Sequence, residues 1–129
     1  MVTEKPVVTA DEVFAANQKI RWAALASERG EVLLDQMRPG VESYSPPEFD
    51  HEFVALGPLT MLGICERYSD YLKGVDYMVV WYRLAVCVYA RIGTQILAVS
   101  IERDRQAVVD FLDWLEKKQR GAIADRQES

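Results

Sequence analysis

The chain has 129 residues, half of them hydrophobic and 27% charged, the composition of one globular domain with a sizeable core. Lys and Arg number 15 against 20 Asp and Glu, a net charge of −5. That balance lacks the basic face that phosphate neutralisation needs, so it argues against nucleic acid and against polybasic attachment to a membrane surface.

The opening residues, MVTEKPVVTADE, carry acids early and no apolar run, unlike a signal peptide. Arg83 and Arg91 interrupt the longest apolar stretches, which stay short of the roughly 20 residues a spanning helix needs. The expectation is a cytoplasmic protein without membrane insertion. Cys65 and Cys87 both sit in apolar segments and read as buried, reduced thiols.

Residues 1–9 read as a flexible lead-in, 10–119 as a single domain and 120–129 as a flexible tail. Thr9 and Glu12 have capping-box spacing, and Val8 and Val13 stand where a hydrophobic staple packs, so a short helix is expected over about 10–19. Asn17 falls on its apolar side and needs a hydrogen-bond partner or an exposed edge. Ile20 to Ala26 is apolar and only weakly alternating, as in a well-buried strand. Ser27 to Gly30 is a turn cluster, and Val32 to Met37 returns as the second strand of a hairpin ended by Arg38-Pro39-Gly40. After a loop over 41–47, Phe49, Phe53, Leu56, Ile64, Tyr68 and Leu72 recur at helical spacing, predicting a long helix over about 48–72. Gly57-Pro58 predicts either a kink or two helices, and Lys73-Gly74 a C-terminal stop.

The stretch from Val75 to Ile101 is dense in β-branched and aromatic residues and is broken by a turn at Gly93-Thr94. Val75–Tyr82 and Gln95–Ile101 read as strands, with Leu84–Arg91 between them. The turn near Arg83 lacks Gly, Asn or Pro, so one long bent strand is the alternative. Asp104 to about Gln119 is the last helix, with Ala107, Val108, Phe111, Leu112 and Leu115 on one face; Trp114 falls off that stripe. The resulting order, α-β-β-α-β-β-β-α, is an α+β helix-sheet-helix sandwich.

Chemical motifs do not point to an enzyme. His51 is the only histidine, so zinc would have to gather His51, Cys65, Cys87 and a carboxylate from separate elements without short ligand spacing. Neither cysteine has the polar setting of a nucleophile, and no GxxxxGK[ST] or GxGxxG occurs. The acids cluster at helix starts, where capping explains them. No catalytic residue, cofactor or metal is expected. Apolar surface is more informative. Val75 to Tyr82 is apolar on both faces except at Asp76 and has no Lys or Pro in its middle, which marks an unguarded sheet edge. The long helix is apolar around much of its girth. These two surfaces predict a homodimer formed through Tyr77, Val79 and Trp81 together with Leu59 and Leu62.

The order of elements, with Ile20-Arg21-Trp22-Ala23 and Gly30 in the first hairpin and Arg83 at the meander, resembles the roadblock/dynein-light-chain domain, in particular small stand-alone archaeal proteins of that type. The resemblance covers roughly residues 10–119. It implies a five-stranded antiparallel sheet with the first and last helices on one face and the long helix on the other. It also implies dimerisation through the third strand, and a non-enzymatic scaffold or regulator with a small Ras-like GTPase as candidate partner. Gly57-Pro58 departs from a regular long helix. The alternative function is a small-molecule sensor of the PAS, GAF or longin kind, with a pocket lined by Trp22, Tyr82 and Tyr89.

Overall fold

A computed structural model describes residues 4–44, 63 and 69–128. The first helix, α1 (Ala10–Ala16), begins with the expected capping box: the Thr9 hydroxyl accepts from the Glu12 amide, and the Glu12 carboxylate accepts from the Thr9 amide. Val8 and Val13 are both buried, as a hydrophobic staple requires. α1 stops earlier than position 19, because Asn17 turns extended and its side-chain oxygen accepts from the Lys19 amide at 2.8 Å.

Five strands follow the expected order: β1 (Ile20–Ser27), β2 (Val32–Met37), β3 (Tyr77–Trp81), β4 (Val86–Ile92) and β5 (Gln95–Ile101). They form one antiparallel sheet in the order β2-β1-β5-β4-β3. β3 and β4 are separate strands, with Trp81 opposite Val86, so the single bent strand is excluded. At the β4–β5 turn Gly93 has φ +61°, the left-handed conformation a two-residue hairpin turn favours. Ile20 pairs with Ile101 but Trp22 with Ser100, leaving Arg21 as the extra residue of a bulge. The bulge changes the phase of β1, so that Ile20 joins one face of the sheet and Trp22 the other. With both faces apolar, this accounts for the weak alternation of the segment.

Before β3, the helical turn α2 (Ser69–Leu72) ends at Lys73 and Gly74, both with positive φ, which is the expected stop. The rest of the helix expected over 48–72, including Gly57-Pro58, lies outside the described residues. The last helix, α3 (Arg105–Glu128), runs past the expected end near Gln119. One glycine costs only about 1 kcal/mol in a helix, too little to stop one flanked by good helix formers. Ahead of α1, the buried Gln95 side chain accepts from the Val7 amide at 2.9 Å and donates to the Lys5 carbonyl at 2.6 Å.

α1 and α3 cover one face of the sheet. Val13 and Phe14 pack there with Phe111 and Leu115 of α3 against Leu25, Val88, Leu97 and Val99. Phe111 is wholly buried, worth about 2–3 kcal/mol of apolar transfer. Trp114 is half-buried on this core and stacks on Phe111, with ring centroids 5.6 Å apart. The opposite face gathers Trp22, Ala24, Ala26, Tyr89 and Ala98.

Candidate interaction surface

β3 is a terminal strand of the sheet, and among the described residues nothing pairs with its outer side. Which backbone groups face outward follows from the hairpin. The Tyr82 amide donates to the Ala85 carbonyl at 2.9 Å, closing the β3–β4 turn with a hydrogen-bonded pair. Such pairs alternate along an antiparallel ladder. Val80–Cys87 and Met78–Tyr89 are therefore hydrogen-bonded pairs, whereas the N–H and C=O groups of Tyr77, Val79 and Trp81 point away from β4. A backbone donor or acceptor seeks a partner, so this row is a template for another strand.

The two edges of the sheet differ. β2 carries exposed Asp35 and Gln36, and its pairing is interrupted between Leu25 and Ala26. β3 holds no charge, proline or bulge between Tyr77 and Trp81. Tyr77 and Val79 pack partly against the α1/α3 core, while Trp81 is 45% exposed. Of the residues expected in a dimer interface, Tyr77, Val79 and Trp81 thus share one face of one strand. Leu59 and Leu62 lie outside the described residues.

The ends of β3 differ in charge. At the Trp81 end, Trp81, Arg103 and Arg105 line a shallow cleft, and the Arg103 guanidinium lies 5.8 Å from the Trp81 ring centroid. The neighbouring acids are engaged elsewhere: Glu102 with Arg21 at 3.9 Å, and Asp104 with Lys19 and the Ala107 amide. Among the described residues, neither Arg103 nor Arg105 has an ion-pair partner. At the other end, the Tyr77 hydroxyl donates to Glu116 at 3.4 Å. Burial first, then the carboxylates of Glu116, Asp76 and Asp113, hold the Tyr77 phenol above its usual pKa. One end of the edge is basic and the other acidic. Sequence reading missed this polarity because it arises only when α3 is laid against β3; the Arg105-to-Asp113 and Glu116 spacing on one helix was its only trace.

Of the residues expected to line a ligand pocket, Trp22 and Tyr89 are packed together in the second cluster, and Trp22 donates to Asp35 at 2.8 Å. Burial, the largest cause, drives the Tyr89 phenol pKa far upward, and Cys87 and Tyr82 lie close enough to add to it. Tyr82 itself is about half exposed. His51 and Cys65 lie outside the described residues, and among those described no three His, Cys, Asp or Glu side chains gather as metal ligands. No described helix is long and apolar enough to cross a membrane.

No family model matches the chain, and neither does any curated protein sequence. Solved structures do resemble it. The gliding protein MglB of Thermus thermophilus is 12% identical with a TM-score of 0.68, the match covering 95% of this chain and 99% of that one. An MglB with a tetrameric arrangement is 14% identical with a TM-score of 0.65, covering 95% and 98%. A roadblock/LC7 domain from Streptomyces avermitilis is 17% identical with a TM-score of 0.61, covering 91% and 99%. Five antiparallel strands with α1 and α3 on one face, superposing on these structures over nearly their whole length, give this chain the fold of a roadblock-like domain.

Proposed function

We propose that this chain is a non-enzymatic scaffold or regulatory module that works as a homodimer, joined edge to edge through β3. The observation that carries the reading is the row of outward backbone groups at Tyr77, Val79 and Trp81 on a strand with no guarding charge or proline. Two-fold symmetry places the same strand on both sides of the seam. Centring the axis on Val79 sets Tyr77 opposite the partner's Trp81 and brings all of these groups into play. A shift of one pair in either direction leaves some of them unmatched, so the Val79-centred register is the one with most hydrogen bonds. That a related fold occurs in an MglB with a tetrameric arrangement is in keeping with self-assembly. Leu59 and Leu62 would add the contacts of the long helix.

Sedimentation velocity at tens of micromolar tests the dimer. The wild-type chain should sediment as a dimer. Val79→Pro, which removes an outward donor without touching a β3–β4 hydrogen bond, should sediment as a monomer with its melting transition retained. A monomeric wild type would end this reading. The narrower role, binding a small Ras-like GTPase, is carried by the family resemblance. Affinity capture from the host that recovers no such GTPase, with no change in nucleotide turnover on mixing, would refute it.

A further inference from the structure

The seam has a second component beyond backbone pairing. We propose that Arg105, with Arg103 beside it, forms ion pairs across the two-fold axis with Glu116 and Asp113 of a second copy of this chain, and that these pairs fix the antiparallel register of the two β3 strands. The inference rests on the β3-edge reading and adds the side chains that select one register from several.

The argument begins with direction. Arg105, the first residue of α3, lies with Trp81 at one end of β3, and Glu116 bonds Tyr77 at the other end. α3 therefore runs antiparallel to β3. A two-fold axis at Val79 brings the Trp81 end of one protomer beside the Tyr77 end of its partner. Arg103 and Arg105 then meet Asp113 and Glu116 twice, once on each side of the axis. α3 lies over β4 and reaches the edge strand through the Tyr77–Glu116 bond. The two α3 helices are accordingly separated by about three strand spacings, roughly 14 Å. That is too far for close helix packing, yet within reach of an arginine and a glutamate extended toward each other. Val109, 48% exposed, stands between Arg105 and Asp113 at i, i+4 spacing and places an apolar residue midway along the same stripe.

Charge chemistry favours this occupant. The arginines have no ion-pair partner among the described residues, although Glu102 and Asp104 are their sequence neighbours. The acids at the other end crowd around a single phenol. The Trp81 end offers two arginines without ion-pair partners among the described residues. The Tyr77 end offers the Asp113 and Glu116 carboxylates, with Arg120 turned onto the Glu116 backbone carbonyl at 3.4 Å. Sliding the strands by two residues would set like charges closer, so the pairs discriminate against wrong registers as well as favouring the right one.

Charge reversal tests the proposal. Arg105→Glu places four carboxylates against one another in a homodimer, and Glu116→Arg places four cations. Each variant alone should dimerise about tenfold or more weakly than wild type. Mixed in equal amounts, the two should restore wild-type affinity as a heterodimer, because both cross-axis pairs are then opposite in sign. The mixture also answers the folding question, since misfolded variants would not rescue each other. If both variants dimerise like wild type, or if the mixture fails to recover, the ion pairs are wrong while the β3 seam stands. If wild type itself is monomeric, the seam reading fails and takes this proposal with it.

Discussion

Arg38 closes the C-terminal end of α1 by donating to the Phe14 carbonyl at 2.7 Å while its guanidinium lies over the Phe14 ring, 5.0 Å from the centroid. The same side chain donates to the carbonyls of Asn17 at 2.7 Å and Ile20 at 2.6 Å. A cation at a helix C-terminus is favourable by itself, and here it also gives a partner to the Phe14 carbonyl in the last turn of the short helix. Arg38→Ala should therefore destabilise the fold by about 2–4 kcal/mol, since hydrogen bonds to charged groups are worth about 1.5–3 kcal/mol each but share one desolvation cost. Arg38→Lys should recover only part, because an ammonium lacks the planar fork that reaches several carbonyls. Urea unfolding of both variants measures the difference; equal stability of Arg38→Ala and wild type would show the cap to be energetically idle.

Gln95 ties the N-terminal segment to the start of β5. Its amide bonds both the Val7 amide and the Lys5 carbonyl, and the side chain is 2% exposed. Gln95→Ala removes two part-buried hydrogen bonds and should cost about 1–3 kcal/mol. Gln95→Glu keeps the acceptor and loses the donor, so it should release Lys5 more than Val7. Hydrogen exchange reads this directly: faster exchange at Val7 and Val8 in Gln95→Ala, with the centre of β5 unchanged, is the expected pattern.

Much of the framework was legible because it rests on short-range chemistry. Thr9 and Glu12 announce α1 through a three-residue spacing, Gly93 marks the β4–β5 turn, and Lys73-Gly74 ends α2. The exposed row at Tyr77, Val79 and Trp81 was legible as an unguarded strand, and the antiparallel order places it at the sheet's edge. What escaped depends on contacts between residues distant in the chain. Nothing local says that Arg38 reaches back to Phe14, or that Gln95 holds Lys5 and Val7. Pinning by a distant glutamine and continuation of a helix past one glycine are invisible to composition.

Gly121 is a removable weakness. It lies within α3, and a Cβ built on it meets nothing within 4 Å. Its φ is not in the left-handed region, so alanine fits without strain. Gly121→Ala should stabilise the protein by about 0.5–1 kcal/mol, mainly by reducing the freedom of the unfolded chain. The effect should appear in thermal melts and as slower amide exchange in the last turns of α3. No gain in either would mean that those turns open independently of the rest of the fold.

Acid should weaken the fold through two surface ion pairs. Glu12 is held below its ordinary 4.5 first by the hydrogen bond from Lys118, at 2.8 Å, and then by the Thr9 amide. Asp104 is held below its ordinary 3.8 first by Lys19 and then by the Ala107 amide. Because both carboxyls have lower pKa values folded than unfolded, their stabilisation is fully present above the unfolded values. It is lost as pH falls through the folded ones. Melting temperature should stay level from neutral pH down to about 5 and fall below about 4. Asp104→Asn can still cap α3 through its side-chain oxygen but gives up the charge, so it separates the two roles. Glu12→Gln combined with Asp104→Asn should make the acid limb of the melting curve shallower than that of wild type. An unchanged acid limb would assign the pH dependence to other carboxylates.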